Sequence, residues 1–503
     1  MVYTLRSYLV AAALVASVAL QTPQVSATSL NYDPYTTSGT TDKISKRFPG
    51  YGGEIADEDC AYTVQTDPAL LDISTIPQST VVYSDLLTNS STPPTEPVFT
   101  KVGTATLSKD LPSGTQPSQK PQGQRRLEFH TNEEIAQLEE YFNITIETTL
   151  ANLPTEGEYS PTPWPGPNWV TYNDSINYVW SEGQPSPAEK YARAFGLNVT
   201  EFMDAVSAEY GVDSRSDGSV CTTDADCDFP ATTEKYKCGI RSGQSSGYCV
   251  LSWTGICHAW APAAIIEDEP QCAVTYNNVT FQPMDLKALL SVVYDSGGVE
   301  FVFTGARYAK GNDSIDQYGR HTNEAYRDLN PAYFHIATAN LLGNLNSTFV
   351  GDIDAGTEVW NHPIRAFKVH EQTAMSLTEA ARTFYGLEEY PWNADAKSIV
   401  YMKTYLSWAD LTFEDGPLVS SGRVDQYTAS AYYHYLLEMD DAGKIIGGEW
   451  LYDSNDKHLD FLWVPAGGPA FDTVTSVGLS YQDVRILQKE AAACTQLVKM
   501  GVE

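Results

Sequence analysis

The stretch Leu251-Ser-Trp-Thr-Gly-Ile-Cys-His-Ala-Trp-Ala-Pro-Ala-Ala-Ile-Ile266 decides how the rest of the chain is read. A glycine-bearing turn leads into a run of small and apolar residues, the composition of a buried helix. Pro262 is compatible with that helix only if it begins at or just after Cys257. The thiol of Cys257 then lies at a helix N-terminus, where the partial positive charge of unpaired N–H groups favours thiolate over thiol. Those conditions make a cysteine nucleophilic.

Cysteine arithmetic bears on whether that thiol is free. The eight cysteines stand at positions 60, 221, 227, 238, 249, 257, 272 and 494. Four crowd into 221–249 among Thr, Asp, Gly and Ser, with too few apolar residues for a core, which predicts a disulfide-stapled loop. The Cys-x2-Cys spacing of zinc sites is missing from it. Cys272 and Cys494 can form a third bridge. A cut after Arg126 would remove Cys60 and leave seven cysteines, of which at least one cannot pair. Without that cut, Cys60 can pair and all eight can be bridged.

A thiolate that attacks an amide needs a base, and the base needs a group to orient it. Of the eight histidines, His335 is the expected base. It lies in Asn330-Pro-Ala-Tyr-Phe-His-Ile-Ala-Thr-Ala-Asn-Leu-Leu-Gly343, a helix with an N-cap Asn, Pro at its first position and Gly as stop. Two short strand-like runs, 348–352 and 358–361, follow and can carry Asp352 or Asn361 to the imidazole. His458, flanked by Asp456 and Asp460, is the rival base. His258 adjoins the thiol in sequence but is expected to point off another helix face. The order Cys, His, Asn/Asp is that of papain-like and transglutaminase sites.

Around this centre the patterns predict an α+β fold: a papain-like cysteine-enzyme core with an antiparallel sheet and the stapled loop. Helices are expected over 132–142, from the capping box Ser186-Pro187-Ala188-Glu189 to Phe195, and over 199–210. Residues 161–169, Pro-Thr-Pro-Trp-Pro-Gly-Pro-Asn-Trp, cannot form a regular element. A tyrosine-rich alternation over 426–439, an Asp/Gly turn and 444–450 read as a long hairpin.

The first 126 residues have a different character. Arg6 and an apolar run over 8–20, followed by Val25-Ser26-Ala27, read as a signal peptide over 1–27. Residues 28–126 are rich in Ser, Thr, Pro and Gly and read as a prosegment or linker with dibasic pairs at Lys46-Arg47 and Arg125-Arg126. The catalytic domain is expected over 127–503. Seven sequons, at Asn89, Asn143, Asn173, Asn198, Asn278, Asn312 and Asn346, agree with a secreted, extracellular or cell-wall glycoprotein. With 31 basic against 64 acidic residues, the net charge of −33 argues against a nucleic-acid partner. No later run reaches the roughly 18 apolar residues of a membrane span.

Residues Val359-Trp-Asn-His-Pro-Ile-Arg-Ala-Phe-Lys-Val-His-Glu371 closely resemble the thirteen-residue elicitor peptide of the oomycete, Phytophthora-type transglutaminase elicitors, departing from it at His362, Ile364, Ala366 and His370. Trp360, Pro363 and Arg365 are among the shared positions. Pro163-Trp-Pro-Gly, Gly255-Ile-Cys-His-Ala-Trp, Phe334-His335 and Ile445-Ile-Gly-Gly-Glu-Trp450 extend the likeness across roughly 127–503. The resemblance implies a secreted, calcium-dependent transglutaminase made as a proprotein, joining Gln and Lys of protein substrates. It also implies that a host plant receptor reads the Trp360–Arg365 region as a surface. The calcium ligands are not assigned; 453–460 begins like a calcium loop but lacks the Gly and Glu of an EF-hand. The same residues are open to two other readings: a secreted papain-like cysteine protease, and a non-enzymatic cell-wall or carbohydrate-binding protein whose aromatics over 161–180 stack on sugars.

Overall fold

The computed structural model describes residues 78–80, 105–106, 127–309, 311–327 and 329–500. The expected signal peptide, nearly all of the expected prosegment, both dibasic pairs, Cys60 and Asn89 lie outside them. Contacts separate 1–31 from 32–503, and everything described here belongs to the second unit.

In chain order the elements are β1 (Gln78–Thr80), β2 (Ala105–Thr106), α1 (Leu127–Phe142), β3 (Glu156–Glu158), α2 (Pro187–Ala194), α3 (Val199–Tyr210), β4 (Val220–Cys221), β5 (Tyr236–Gly239), β6 (Gly247–Leu251), α4 (Cys257–Ile266), β7 (Ala273–Tyr276), β8 (Val279–Phe281), α5 (Pro283–Ser296), β9 (Glu300–Gly305), α6 (Pro331–Thr338), β10 (Val350–Asp352), β11 (Asn361–Met375), α7 (Leu377–Ala380), β12 (Ser398–Ala409), β13 (Thr428–Met439), β14 (Ile445–Trp450), β15 (Phe461–Pro465) and α8 (Tyr481–Met500). The fold is mixed α and β, as the patterns predict.

Local signals act where they stand. Ser186 Oγ accepts the Glu189 N–H at 3.2 Å with Pro187 at the first helical position, which sets the start of α2. Asn198 Oδ1 accepts from Thr200 and Glu201, opening α3. Two boundaries differ from the sequence expectation. The helix through Phe334 and His335 does not stop at Gly343 but continues through a π turn, Ala339–Asn344. The run expected to end at Asn361 instead begins there and continues as the fifteen-residue β11.

The main sheet runs β14-β13-β12-β11-β10-β15-β9-β2, with β3 also pairing β11, and its pairings are antiparallel. The predicted hairpin is β13 and β14, turning at Asp440–Gly443, where Gly443 takes φ 77°, a left-handed conformation that suits glycine. β11 lies inside the sheet, flanked by β10, β3 and β12, so five consecutive residues from Asn361 to Arg365 are buried.

Helix α4 has no polar face. Ala259, Trp260, Ala261 and Ala263 are fully buried, and α4 packs on α5 and β11. Residues 161–169 form no regular element and run along α4. At its C-terminal end Trp164 Nε1 donates to Glu267 O at 3.0 Å; midway, Gly166 lies against the Trp260 ring; at its N-terminal end Asn168 O accepts the Ile256 N–H at 2.7 Å. Trp164 and Trp169 are 1% exposed, so the sugar-stacking reading of these two aromatics is overturned: their faces are spent on the core.

Disulfides join Cys221 to Cys238 and Cys227 to Cys249, stapling the loop of β4, β5 and β6, and Cys272 to Cys494, tying α8 to the segment before β7. Asn143, Asn198, Asn278, Asn312 and Asn346 are exposed and Asn173 is half-buried.

Candidate active site

Cys257 is the first residue of α4, buried, and the free cysteine among the described residues. Its Sγ lies 3.6 Å from the Val359 carbonyl, to which the protonated thiol can donate, and 3.8 Å from Asn361 Nδ2, which can donate to a thiolate. Asn361 is itself held in place, since Trp463 Nε1 donates to its Oδ1 at 2.9 Å. The imidazole that reaches the sulfur is His258. Its Nε2 meets Asp295 Oδ1 at 2.7 Å, which leaves Nδ1 for the thiol. Asp295 sits in the last turn of α5, so the packing of α4 on α5 builds the chain Cys257–His258–Asp295.

The electrostatics follow from these contacts. Burial alone would push the Cys257 thiol up, but hydrogen bonding and charge from His258, with the Asn361 backbone and side-chain amides, bring it below its ordinary value. Burial would lower the His258 imidazole, and the Asp295 carboxylate together with the sulfur more than offset this, raising it to about 10. The two shifts agree in sign, both favouring the charged thiolate–imidazolium pair over the neutral one. Asp352 behaves oppositely. It is fully buried, and burial holds its carboxyl well above the usual carboxylate range despite hydrogen bonds from the Trp360 and Asp354 N–H groups, with the nearby sulfur adding to the rise.

The structure therefore brings together Cys257, Asn361 and Asp352, the last two being cross-strand partners on β10 and β11. It does not bring His335 to them. His335 Nδ1 is bonded to Tyr435 Oη at 2.7 Å, and burial lowers its imidazole to about 3. His458 is likewise taken up in packing, with its ring nitrogens on the carbonyls of Ser454 and Tyr326 and its face stacked on Trp450. The expectation for His258 is corrected in the same way. At the first turn of a helix the ring of the second residue can reach back beside the first, and an acid on a neighbouring helix holds it there. Asp295 carried no sequence signal, because only tertiary packing makes it a partner.

The transglutaminase elicitor family profile matches residues 134–494, most of the chain. The chain belongs to the transglutaminase elicitor family. This member is also similar to a solved structure, the GP42 transglutaminase from Phytophthora sojae, at 58% identity and a TM-score of 0.66, over 72% of this chain and 98% of that one. No curated protein matches it significantly.

In this family member the elicitor-like stretch is not the surface the resemblance implies. Pro363 and Arg365 are buried and Trp360 is half-buried, because most of the stretch is the start of an interior strand. Arg365 is occupied by Asp425 at 3.1 Å and by Thr428. His362 is buried against Trp260, its Nδ1 on Ala409 O at 2.9 Å; of the four departures, His370 alone is exposed.

Beside the site is a cavity of about 420 Å³, walled by Ile353, Asp354, Trp360, His362, Asp410 and Tyr432 among others. It shares the 353–360 connection with the thiol's surroundings. As for calcium, the one group of three or more potential ligand side chains that converge within 4.8 Å among the described residues is Cys221, Cys227 and Cys249, which are disulfide-bonded sulfurs, whereas calcium takes oxygen. In 453–460, Asp453 pairs with Lys457, Asp456 with His321, and Asp460 accepts the Tyr308 N–H. These residues do not fit a preformed calcium cage. No helix among the described residues is long and apolar enough to cross a membrane.

Proposed function

We propose that this chain is a protein-glutamine γ-glutamyltransferase that works through Cys257. The observation that carries the reading is a free thiol at a helix N-terminus, with an imidazole and a carboxamide both at its sulfur. A cysteine at the head of a buried helix packed on an antiparallel sheet is also the arrangement of a papain-like enzyme core.

The chemistry runs in two halves. The Cys257 thiolate adds to the carbonyl carbon of a protein-bound Gln carboxamide, and the carbonyl π electrons move to oxygen. As the tetrahedral centre collapses, the C–N bond breaks and the His258 imidazolium gives its proton to the departing nitrogen, releasing ammonia and leaving a thioester. A Lys amine then adds to the thioester and loses a proton to His258, and the sulfur leaves as thiolate, giving an isopeptide bond. Asp295 holds the His258 ring in orientation, Asn361 stabilises the thiolate, and burial biases Asp352 toward its neutral form, which limits the negative charge near the sulfur. Asp354, Asp410 and Trp360 make the adjoining cavity suit the ammonium and methylenes of a Lys side chain, which favours amine over water as acceptor.

The test is incorporation of a labelled primary amine into a Gln-bearing protein by the wild type and by Cys257→Ala. Thiol-dependent incorporation supports the transferase. Thiol-dependent cleavage without crosslinks would assign the protease reading instead. For the elicitor role, burial of Pro363 and Arg365 supports recognition of 359–371 as a released or unfolded peptide. A host response as strong to the folded protein as to the free thirteen-residue peptide would overturn that part.

A further inference from the structure

The transferase reading leaves one charge without a partner. When the thiolate adds to the Gln carboxamide, negative charge develops on the carbonyl oxygen, and enzymes of this kind meet it with fixed N–H donors. As the first residue of α4, Cys257 has a backbone N–H with no intrahelical acceptor, and it lies beside its own sulfur. A second donor is needed near that end of the helix.

The geometry points to Asn168 as that donor, its side-chain amide forming an oxyanion hole with the Cys257 N–H for the glutamine carbonyl. Three observations carry this. First, 161–169 runs along α4 from its C-terminal to its N-terminal end, and the Asn168 carbonyl is fixed 2.7 Å from the N–H of Ile256, the residue before the nucleophile. Second, the segment lies on the helix face that matters. Trp260, one turn on from Cys257 and therefore on the same face, touches Gly166 on one side and His362 of β11 on the other. Third, Asn168 is 4% exposed, and its Nδ2 is buried without a hydrogen-bond partner. A buried amide donor left unsatisfied is destabilising, and such a group on a residue bonded to the turn before the thiol has a use if an oxygen of the reacting substrate completes it.

The backbone is built to hold this donor still. Gly255 leaves room for the Asn168 carbonyl, which a Cβ at that position would approach to 2.5 Å. On the far side Trp169 adopts φ 46° and packs edge-on against Phe413, ring centres 5.5 Å apart. Asn168 is thus clamped between the turn that presents the thiol and the Trp169–Phe413 pair, of which Trp169 is buried.

This inference rests on the transferase reading, and the experiment separates the two. Full-length wild type, Asn168→Ala and the near-isosteric Asn168→Asp are compared by amine incorporation, by the alkylation rate of Cys257 with iodoacetamide, and by inhibition with a peptide aldehyde carrying the glutamine side-chain carbonyl. Alkylation needs a thiolate but develops no oxyanion; the aldehyde adduct develops one. The expected result is a fall in kcat of roughly 10²–10³-fold in both variants, a matching loss of aldehyde affinity, little change in KM, and an alkylation rate within about threefold of wild type. Turnover within about threefold of wild type in a folded variant overturns the proposal. So does a parallel fall in alkylation and turnover, which would mean that Asn168 only shapes the fold around the thiol. If Asn168→Ala does not fold, Asn168→Asp decides by the same readouts, and failure of both to fold overturns the proposal in favour of a purely structural amide. If the wild type itself shows no Cys257-dependent incorporation, the transferase reading has failed, and the oxyanion hole with it.

Discussion

His258 is the second residue of α4 and His335 lies in the last turn of α6, two helices whose first residues are spelled out in the sequence, and their surroundings are opposite. His335 follows an N-cap Asn and a Pro, is fully enclosed, and has a tyrosine hydroxyl for company. Burial drives its imidazole down to about 3. His258 follows the thiol directly, keeps part of its surface open, and lies between a carboxylate and a sulfur that raise it to about 10. A histidine becomes a catalytic acid through the charges that face it, and a well-signalled helix start does not supply them. The one with the better local sequence context is the one whose surroundings hold it neutral.

The sharpest way to break this contrast is at the sulfur that only His258 serves. Cys257→Ala should reduce amine incorporation to background, a loss of about 10⁴-fold or more in a product assay, while Cys221→Ala, which opens the cystine loop, should lower stability and retain thiol-dependent turnover. Next come the two imidazoles themselves. His258→Asn is expected to cost roughly 10³-fold in kcat, and His335→Asn less than about tenfold once assays are run below its lowered melting temperature. Equal losses would erase the distinction drawn here.

Asp295→Asn should cost about 10–100-fold and bring down the upper pH limit. In the wild type the imidazolium is lost only as pH rises through about 10, and without the carboxylate that loss should begin nearer the ordinary histidine range. The matching stability term has the same sign. His258 is raised on folding, so its contribution is complete below the unfolded value of about 6.5 and is lost as pH rises through about 10. The smallest expected effect is the converse one at His335. Its folded value of about 3 lies below the unfolded one, so its contribution is present above about 6.5 and fades as pH falls toward 3. Acid melting curves of His335→Gln should therefore fall less steeply over that range than those of the wild type.

What the sequence revealed was what neighbours along the chain decide. The capping residues Ser186 and Asn198, the prolines over 161–169 and the turn at Gly443 act within a few residues, so α2, α3, the irregular strap and the hairpin were legible. The buried helix that begins at Cys257 was legible because small residues after a glycine turn announce a buried helix start. Asp295 was not, because it becomes a partner only when α5 packs on α4. Nor was the burial of Pro363 and Arg365: a likeness over thirteen positions records side chains and not the strands on either side of them, and β10 and β12 flank this one.

The sulfur inventory places an unusual demand on whoever handles this protein. Among the described residues six cysteines are joined in three bridges while a seventh, the proposed nucleophile, is free a few residues from the stapled loop. Strong reductant would protect the free thiol and unlace both the loop and the terminal helix; strong oxidant would do the reverse. The enclosure of Cys257 lets both needs be met at once, because a thiol walled in by its own helix, strand and strap is a poor target for shuffling while the outer bridges form.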